Sequence, residues 1–238
     1  MLELADIGVR FGGLDALKGV SMRVGDGEIV GLVGPNGAGK TTLFNVLSGT
    51  VRPHRGTIRF DGVDIGALRP HARARGGLGR TFQIPQPMHT LTVAENLRVA
   101  QRFGAGRIDA TAAAELLELV GLERKAQVDA ATGLSLSQMK ALEVAKALAT
   151  APRVLLLDEV LAGLEAHGKR TFTRLLVEVH RRFRLAILII EHDIEAIRSL
   201  CPRVAVLDFG KLIADGAPSA VFNDPAVVAS YTGRPVDA

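Results

Sequence analysis

The stretch Gly34-Pro35-Asn36-Gly37-Ala38-Gly39-Lys40-Thr41-Thr42 constrains this chain more than any other. It matches the phosphate-binding pattern G-x-x-x-x-G-K-[ST] at every fixed position. Glu28 to Val33 before it is apolar and β-branched and reads as a buried strand. Leu43 to Gly49 after it reads as a helix stopped by glycine. A strand, a tight glycine turn and a helix start aim several backbone N–H groups at one spot, together with the positive end of the helix dipole. Gly37 and Gly39 put no Cβ between the backbone and a phosphate. Lys40 is placed to reach β- and γ-phosphates, and Thr41 to set its hydroxyl on Mg²⁺. The competing reading, a glycine turn beside a chance lysine, has to explain five fixed or near-fixed positions in the right context.

The chain has 238 residues, enough for one large domain or two small ones, and its 47% hydrophobic content fills a real core and excludes a disordered chain. Its net charge of +4 and pI near 9.6 would suit nucleic acid or an anionic membrane face. The excess is small, arginine-rich and spread over loops and helix faces, which reads as a solvated surface. With no Trp and one Tyr there is little to stack on bases, so no nucleic-acid partner is expected. Cys201 is the only cysteine, so no intramolecular disulfide can form, which suits a reducing compartment. Before Pro202 and among apolar residues, it reads as a small buried hydrophobe. Met1 to Asp6 lacks the basic-then-apolar pattern of a signal peptide. The longest apolar run, Leu185 to Ile190, is far short of the roughly 20 residues that span a bilayer. The chain is expected to be soluble, or peripheral to a membrane through a partner.

Residues 2 to 33 alternate and turn like β-structure. Leu4 to Arg10 is a strand, Phe11-Gly12-Gly13 breaks it, and Val20 to Val24 resumes it. Thr57 to Phe60 is a further strand. Between Gly76 and Leu97 the pattern is irregular: Thr81-Phe82-Gln83 ends a strand, and Pro85 and Pro87 interrupt any helix. Thr92 and Glu95 have capping-box spacing for a helix that restarts there. Helices are expected over Ala110 to Val120, over 137 to 150, from His167 to Phe183 and from Ile194 to Leu200. Val154 to Leu157 and Ala186 to Ile190 are buried strands. Val204 to Leu207 and Lys211 to Ala214 flank Asp208-Phe209-Gly210 as a hairpin, and the tail from Pro218 is helical in patches, then loose. The pattern is α/β. It reads as one domain, with residues 1–83 and 153–238 forming a β-subdomain and core and a helical subdomain inserted at 84–152.

Val154 to Glu159 is four apolar residues followed by two carboxylates. A buried strand ending in Asp sets that acid at the carboxyl edge of a parallel sheet, where such sheets bind ligands. Asp158 is then placed to hold Mg²⁺ with Thr41, and Glu159 to polarise a water for in-line attack on a γ-phosphate. His192 follows a second buried strand; it is either structural or a contact to the γ-phosphate or the attacking water. Gln83 is either an ordinary surface glutamine or an amide that reports on Mg²⁺ or water. His54, His71, His89, His167 and His180 show no metal-ligand spacing.

Over essentially its whole length the chain resembles the ATP-binding subunits of ABC transporters. Gly34 to Thr42 matches their Walker A motif and Val154 to Glu159 their Walker B. Gln83 falls on the Q-loop, Ala162-Gly163-Leu164-Glu165 on the D-loop, and His192 on the switch histidine. Leu134-Ser135-Leu136-Ser137-Gln138 falls on the signature motif, and Phe11 on the aromatic position that stacks on adenine. Arg80-Thr81-Phe82-Gln83, Thr92 to Leu97, Glu191-His192-Asp193 and Val206 to Lys211 are similar to the larger ATP-binding subunit of branched-chain amino-acid importers, and urea and short-amide importers share these features. Two departures stand out. Ser137 replaces the second signature glycine, with Met139-Lys140 in place of a usual Gln-Arg; the Cβ of Ser137 is expected to crowd the nucleotide or to forbid a positive φ. Val160 replaces the proline usual after the catalytic glutamate.

The resemblance implies a fold with a RecA-like phosphate-loop core, an N-terminal antiparallel β-subdomain and an inserted helical subdomain. It implies an ATPase using ATP and Mg²⁺, with Lys40, Gln83, Glu159 and His192 as catalytic residues and Thr41, Gln83 and Asp158 around the metal. Two cassettes would face head to tail, each signature loop closing on the other's ATP. The partners implied are integral permease subunits, a second cassette and, through the permease, a periplasmic or lipid-anchored solute-binding protein. The place implied is the cytoplasmic face of the inner membrane. The rivals are a soluble ABC-type ATPase of translation or DNA repair, and a partner cassette with a weakened site. A small-molecule kinase or GTPase would leave Leu134 to Gln138 and His192 unexplained.

Overall fold

A computed structural model describes residues 1–232. In chain order the elements begin with β1 (Leu2–Phe11), β2 (Leu14–Val24), β3 (Ile29–Val33), α1 (Lys40–Ser48), β4 (Arg55–Phe60) and β5 (Val63–Asp64). Next come α2 (Pro70–Arg75), β6 (Leu78–Arg80), α3 (Val93–Ala100), a π-helical turn (Gln101–Ala105), α4 (Ala110–Leu119), α5 (Leu136–Ala149), β7 (Val154–Asp158) and α6 (Ala166–Phe183). The chain continues through β8 (Ala186–Ile190), α7 (Ile194–Leu200), β9 (Arg203–Asp208), β10 (Lys211–Gly216), α8 (Pro218–Val221) and α9 (Pro225–Thr232). Two compact units result: residues 1–70 with the described residues from 186 on, and residues 71–185.

In the first unit, β2, β1, β4 and β5 form an antiparallel sheet in that order. Along β2, Val20, Met22 and Val24 are buried while Ser21 and Arg23 are exposed, the alternation of a sheet with one covered face. Phe11 pairs with Leu14, so the expected break at Gly12 and Gly13 is the tight turn of a continuous hairpin. The other sheet of this unit runs β10, β9, β3, β8. β3 lies parallel to both β8 and β9, and β10 returns antiparallel on β9. Every residue of β3 and β8 is buried, as parallel strands covered on both faces require. Asp193 caps α7 by accepting from the Ala196 N–H at 3.1 Å.

In the second unit, β6 and β7 pair in parallel, with Arg80 opposite Leu156. The capping box expected at α3 is present: Thr92 Oγ1 accepts from the Glu95 N–H, and the Glu95 carboxylate accepts from the Thr92 N–H at 2.8 Å. Ser135 and Gln138 form a second box at the start of α5. Past its first turn, α5 is buried almost all round. α2 and the π-helical turn have no counterpart in the sequence reading. The turn is clamped by the Gln101 amide, which donates to the Asp109 carbonyl at 2.8 Å and accepts from the Asp109 N–H at 3.1 Å. The loose tail expected after α9 lies outside the described residues.

Candidate nucleotide site

The glycine loop is built by backbone that only glycine tolerates. Gly34 has φ 144° and Gly39 φ 106°. A Cβ at Gly34 would stand 2.0 Å from the Leu207 carbonyl oxygen, and one at Gly39 would stand 2.7 Å from that of Ala16. The loop is braced by the turn between β9 and β10: the Gly210 N–H donates to the Ala38 carbonyl at 2.9 Å, and the Lys18 N–H to the Gly210 carbonyl at 2.8 Å. α1 opens at Lys40 with no side-chain cap, which leaves the helix N-terminus for an anion. The Lys40 ammonium is buried beneath the loop and donates to the carbonyls of Gly34, at 2.6 Å, and Pro35, at 2.9 Å. Asn36, Gly37 and Thr41 are exposed, Pro35 and Thr42 half-buried, and Ala38 buried. Burial pushes the pKa of the Tyr231 phenol of α9 up, and the nearby Gly34 main chain opposes that rise.

Elsewhere in this unit, Phe11 stands half-exposed at the hairpin tip. His192 is exposed directly after β8. Glu191 beside it is buried, and together with burial it pushes the Cys201 thiol up to about 12, with burial the larger cause.

In the second unit, β7 delivers Asp158 buried at its end. Thr81 extends the register past β6, since its N–H donates to the Leu156 carbonyl at 2.9 Å and its hydroxyl accepts from the Asp158 N–H at 3.2 Å. Arg80 Nη2 lies 3.1 Å from Asp158 Oδ2, and its guanidinium sits over the Phe82 ring. Glu159 is half-buried with φ 49°, a left-handed backbone on a non-glycine residue. Gln83 Nε2 donates to Glu159 Oε2 at 2.6 Å, so the structure brings these two predicted residues together.

Leu134 is buried and Ser135 caps α5, with Gln138 reaching back to it. Leu136 and Ser137 are exposed. Ser137 lies in the first turn of α5 and is not among the residues of positive φ, which removes the expected backbone conflict at this position. Its hydroxyl shares a hydrogen bond of 3.1 Å with that of Ser135. Arg80 and Lys140 were not among the candidates. Lys140 is buried and donates to the Glu159 carbonyl at 2.9 Å.

Among the described residues no group of three or more His, Cys, Asp and Glu is arranged to hold a metal alone. Magnesium asks less, since one or two carboxylates and substrate phosphates suffice. Asp158 is a buried carboxylate of that hard-oxygen kind. No helix among the described residues is long and apolar enough to cross a membrane.

A parallel strand that feeds a glycine loop and α1 over a buried lysine, and an apolar strand that ends in Asp-Glu, define an ATPase of the phosphate-loop class. A sequence profile of the ABC transporter family matches residues 17–162. The chain belongs to that family. It is 37% identical over 251 aligned residues, covering 98% of both chains, to the high-affinity branched-chain amino acid transport ATP-binding protein BraF of Pseudomonas aeruginosa. The Escherichia coli protein LivG of the same description is 35% identical at the same coverage. The methionine import ATP-binding protein MetN of Mesorhizobium japonicum is 39% identical over 94% of this chain but 62% of its own length. Among solved structures, the ADP conformation of an ATP-binding cassette of an ABC transporter is similar with a TM-score of 0.88 and 31% identity, covering 98% of this chain and 99% of that one.

Proposed function

We propose that this chain is the ATP-hydrolysing subunit of an importer of branched-chain amino acids, docked on permease subunits at the cytoplasmic face of the membrane. The observation that carries the substrate reading is the likeness to BraF and LivG from end to end. The higher identity to MetN covers 62% of that protein, which makes methionine the weaker reading. A second cassette and a solute-binding protein complete the assembly, and residues 84–152 act as its helical subdomain.

The amides of Gly34 to Thr42 and the Lys40 ammonium would bind the polyphosphate. Lys40 is kept meanwhile by the loop's own carbonyls, so it needs to exchange acceptors only when phosphate arrives. Phe11 would stack on adenine, and Leu134 to Gln138 would close on the ATP of the second cassette. Thr41, Asp158 and Gln83 would hold Mg²⁺, which supplies positive charge to the β- and γ-phosphate oxygens. Glu159 would orient the attacking water, with Gln83 fixing its carboxylate and His192 facing the γ-phosphate. Stabilising the charge that develops on the phosphoryl group is the larger part of such catalysis.

The test is reconstitution in liposomes with permease subunits, a second cassette and a solute-binding protein of the same system. Leucine, isoleucine or valine should raise ATP turnover several-fold over methionine and urea. Stimulation by methionine or urea alone would replace the substrate, and turnover indifferent to every solute would remove transport.

A further inference from the structure

α5 begins at the signature loop and is nearly all buried, yet it carries charges at 140, 143 and 146. Three-residue spacing puts these side chains along one side of the helix. Each is partnered by the main chain of a loop or by its neighbour. Lys140 Nζ donates to the Glu159 carbonyl at 2.9 Å. The Glu143 carboxylate accepts from the Gln86 N–H at 3.0 Å and from Lys146 Nζ at 2.6 Å. Lys146 Nζ also donates to the Gln86 carbonyl at 2.6 Å. Lys140 is 4% exposed and Glu143 5%, a depth at which charges persist only when paired.

The acceptor of Lys140 is the peptide group of a strained residue. Glu159 has φ 49°, and a side chain in that region persists only where its surroundings over-determine it. At its other end the Glu159 carboxylate is met by Gln83. The residue is therefore held at both ends: its carbonyl accepts from Lys140 of α5 and from the Ala162 N–H of its own turn at 3.2 Å, and its carboxylate accepts from Gln83 in the segment after β6.

We propose that Lys140 is a positioning residue for Glu159: its ammonium pins the left-handed peptide so that the carboxylate faces the attacking water. This rests on the reading of Glu159 as the water-orienting group. The helix that carries the signature loop thus also sets the catalytic carboxylate of its own cassette, five residues beyond Ser135. A lysine that only filled space would not need a donor at this point.

The experiment is steady-state ATP hydrolysis by the assembled transporter with ATP varied, alongside thermal unfolding. Lys140→Met keeps an unbranched side chain that fills most of the same space but cannot donate, whereas Lys140→Arg keeps a charged donor. Lys140→Met should lower kcat at least tenfold with KM for ATP changed less than twofold, and Lys140→Arg should restore at least a third of the parent kcat. If Lys140→Met does not fold, Lys140→Leu, which also lacks a donor, takes its place with the same expectation. A kcat within twofold of the parent overturns the proposal. So does an equal loss in the Met and Arg variants with KM rising in both, which marks a structural role. Glu159→Gln is measured in parallel. If it keeps normal turnover, the reading of Glu159 falls and the proposal with it; if it loses turnover while Lys140→Met does not, the proposal alone falls.

Discussion

Arg80 and Asp158 form a buried ion pair, Nη2 to Oδ2 at 3.1 Å, between residues on neighbouring parallel strands whose side chains are 10% and 4% exposed. The carboxylate proposed for the metal thus already has a cation beside it. Breaking such a pair from one side costs about 3–5 kcal/mol, whereas removing both charges is much less damaging. Arg80→Gln should therefore destabilise the chain by about that amount in urea unfolding, and the double variant Arg80→Gln with Asp158→Asn should recover part of the loss. Additive losses in the double variant would mean the two side chains do not act as a pair.

Glu159 and Gln83 meet at 2.6 Å. If Glu159 orients the water, Glu159→Gln should reduce ATP turnover roughly a hundredfold or more while ATP still binds. The variant should then accumulate as an ATP-bound pair of cassettes, visible by size-exclusion chromatography with ATP. Normal turnover would pass the role to another residue.

The parts legible in the sequence are those decided by local chemistry. Gly34 and Gly39 announce the loop because no other residue survives the close approach of Leu207 and Ala16. Thr92 and Glu95 announce α3 because a capping box closes within one turn. β8 and α7 run over the residues that their apolar pattern predicts. What escaped is non-local. The Arg80–Asp158 pair joins residues 78 apart and exists only because β6 lies beside β7 in one register. The left-handed turn at Glu159 is set by what holds its peptide, including Lys140 from another element, and carries no glycine to betray it. α2 is a short helix of six residues whose proline start reads equally well as a loop.

Lys40 should be separable from the folding of its loop. Its ammonium bonds the Gly34 and Pro35 carbonyls, but the loop is also held by Gly210 on the Ala38 carbonyl. Lys40→Ala should lower turnover roughly a hundredfold or more, the scale for removing one preorganised donor, with far-UV circular dichroism unchanged. Unchanged ATPase in the assembled complex would remove the phosphate-loop assignment.

Cys201 gives a pH signature. Burial raises its thiol from the ordinary value of 9.0 to about 12. The unfolded chain therefore releases this proton first. The associated stability is fully present below about 9 and is lost as pH rises towards about 12. Unfolding free energy measured from pH 8 upward should decline more steeply for the parent than for Cys201→Ala. Because the thiolate is the nucleophile, iodoacetamide at pH 8 should label the folded chain far more slowly than the unfolded one. Equal slopes and fast labelling would contradict the burial.

Ser137 tests whether the altered signature weakens the site. The backbone there is already helical, so a glycine is not needed for its φ. Two effects oppose each other in Ser137→Gly. The exposed Cβ and hydroxyl disappear, which frees the face proposed to meet the second cassette's ATP. The helix loses the bond between Ser137 and Ser135, and glycine costs up to about 1 kcal/mol in a helix. That cost falls in the first turn, where the Ser135–Gln138 box already holds the end, so the loss of stability should be small. ATP turnover of the assembled complex should then stay level or rise. A large fall, with unfolding unchanged, would show that the hydroxyl of Ser137 itself contacts the nucleotide.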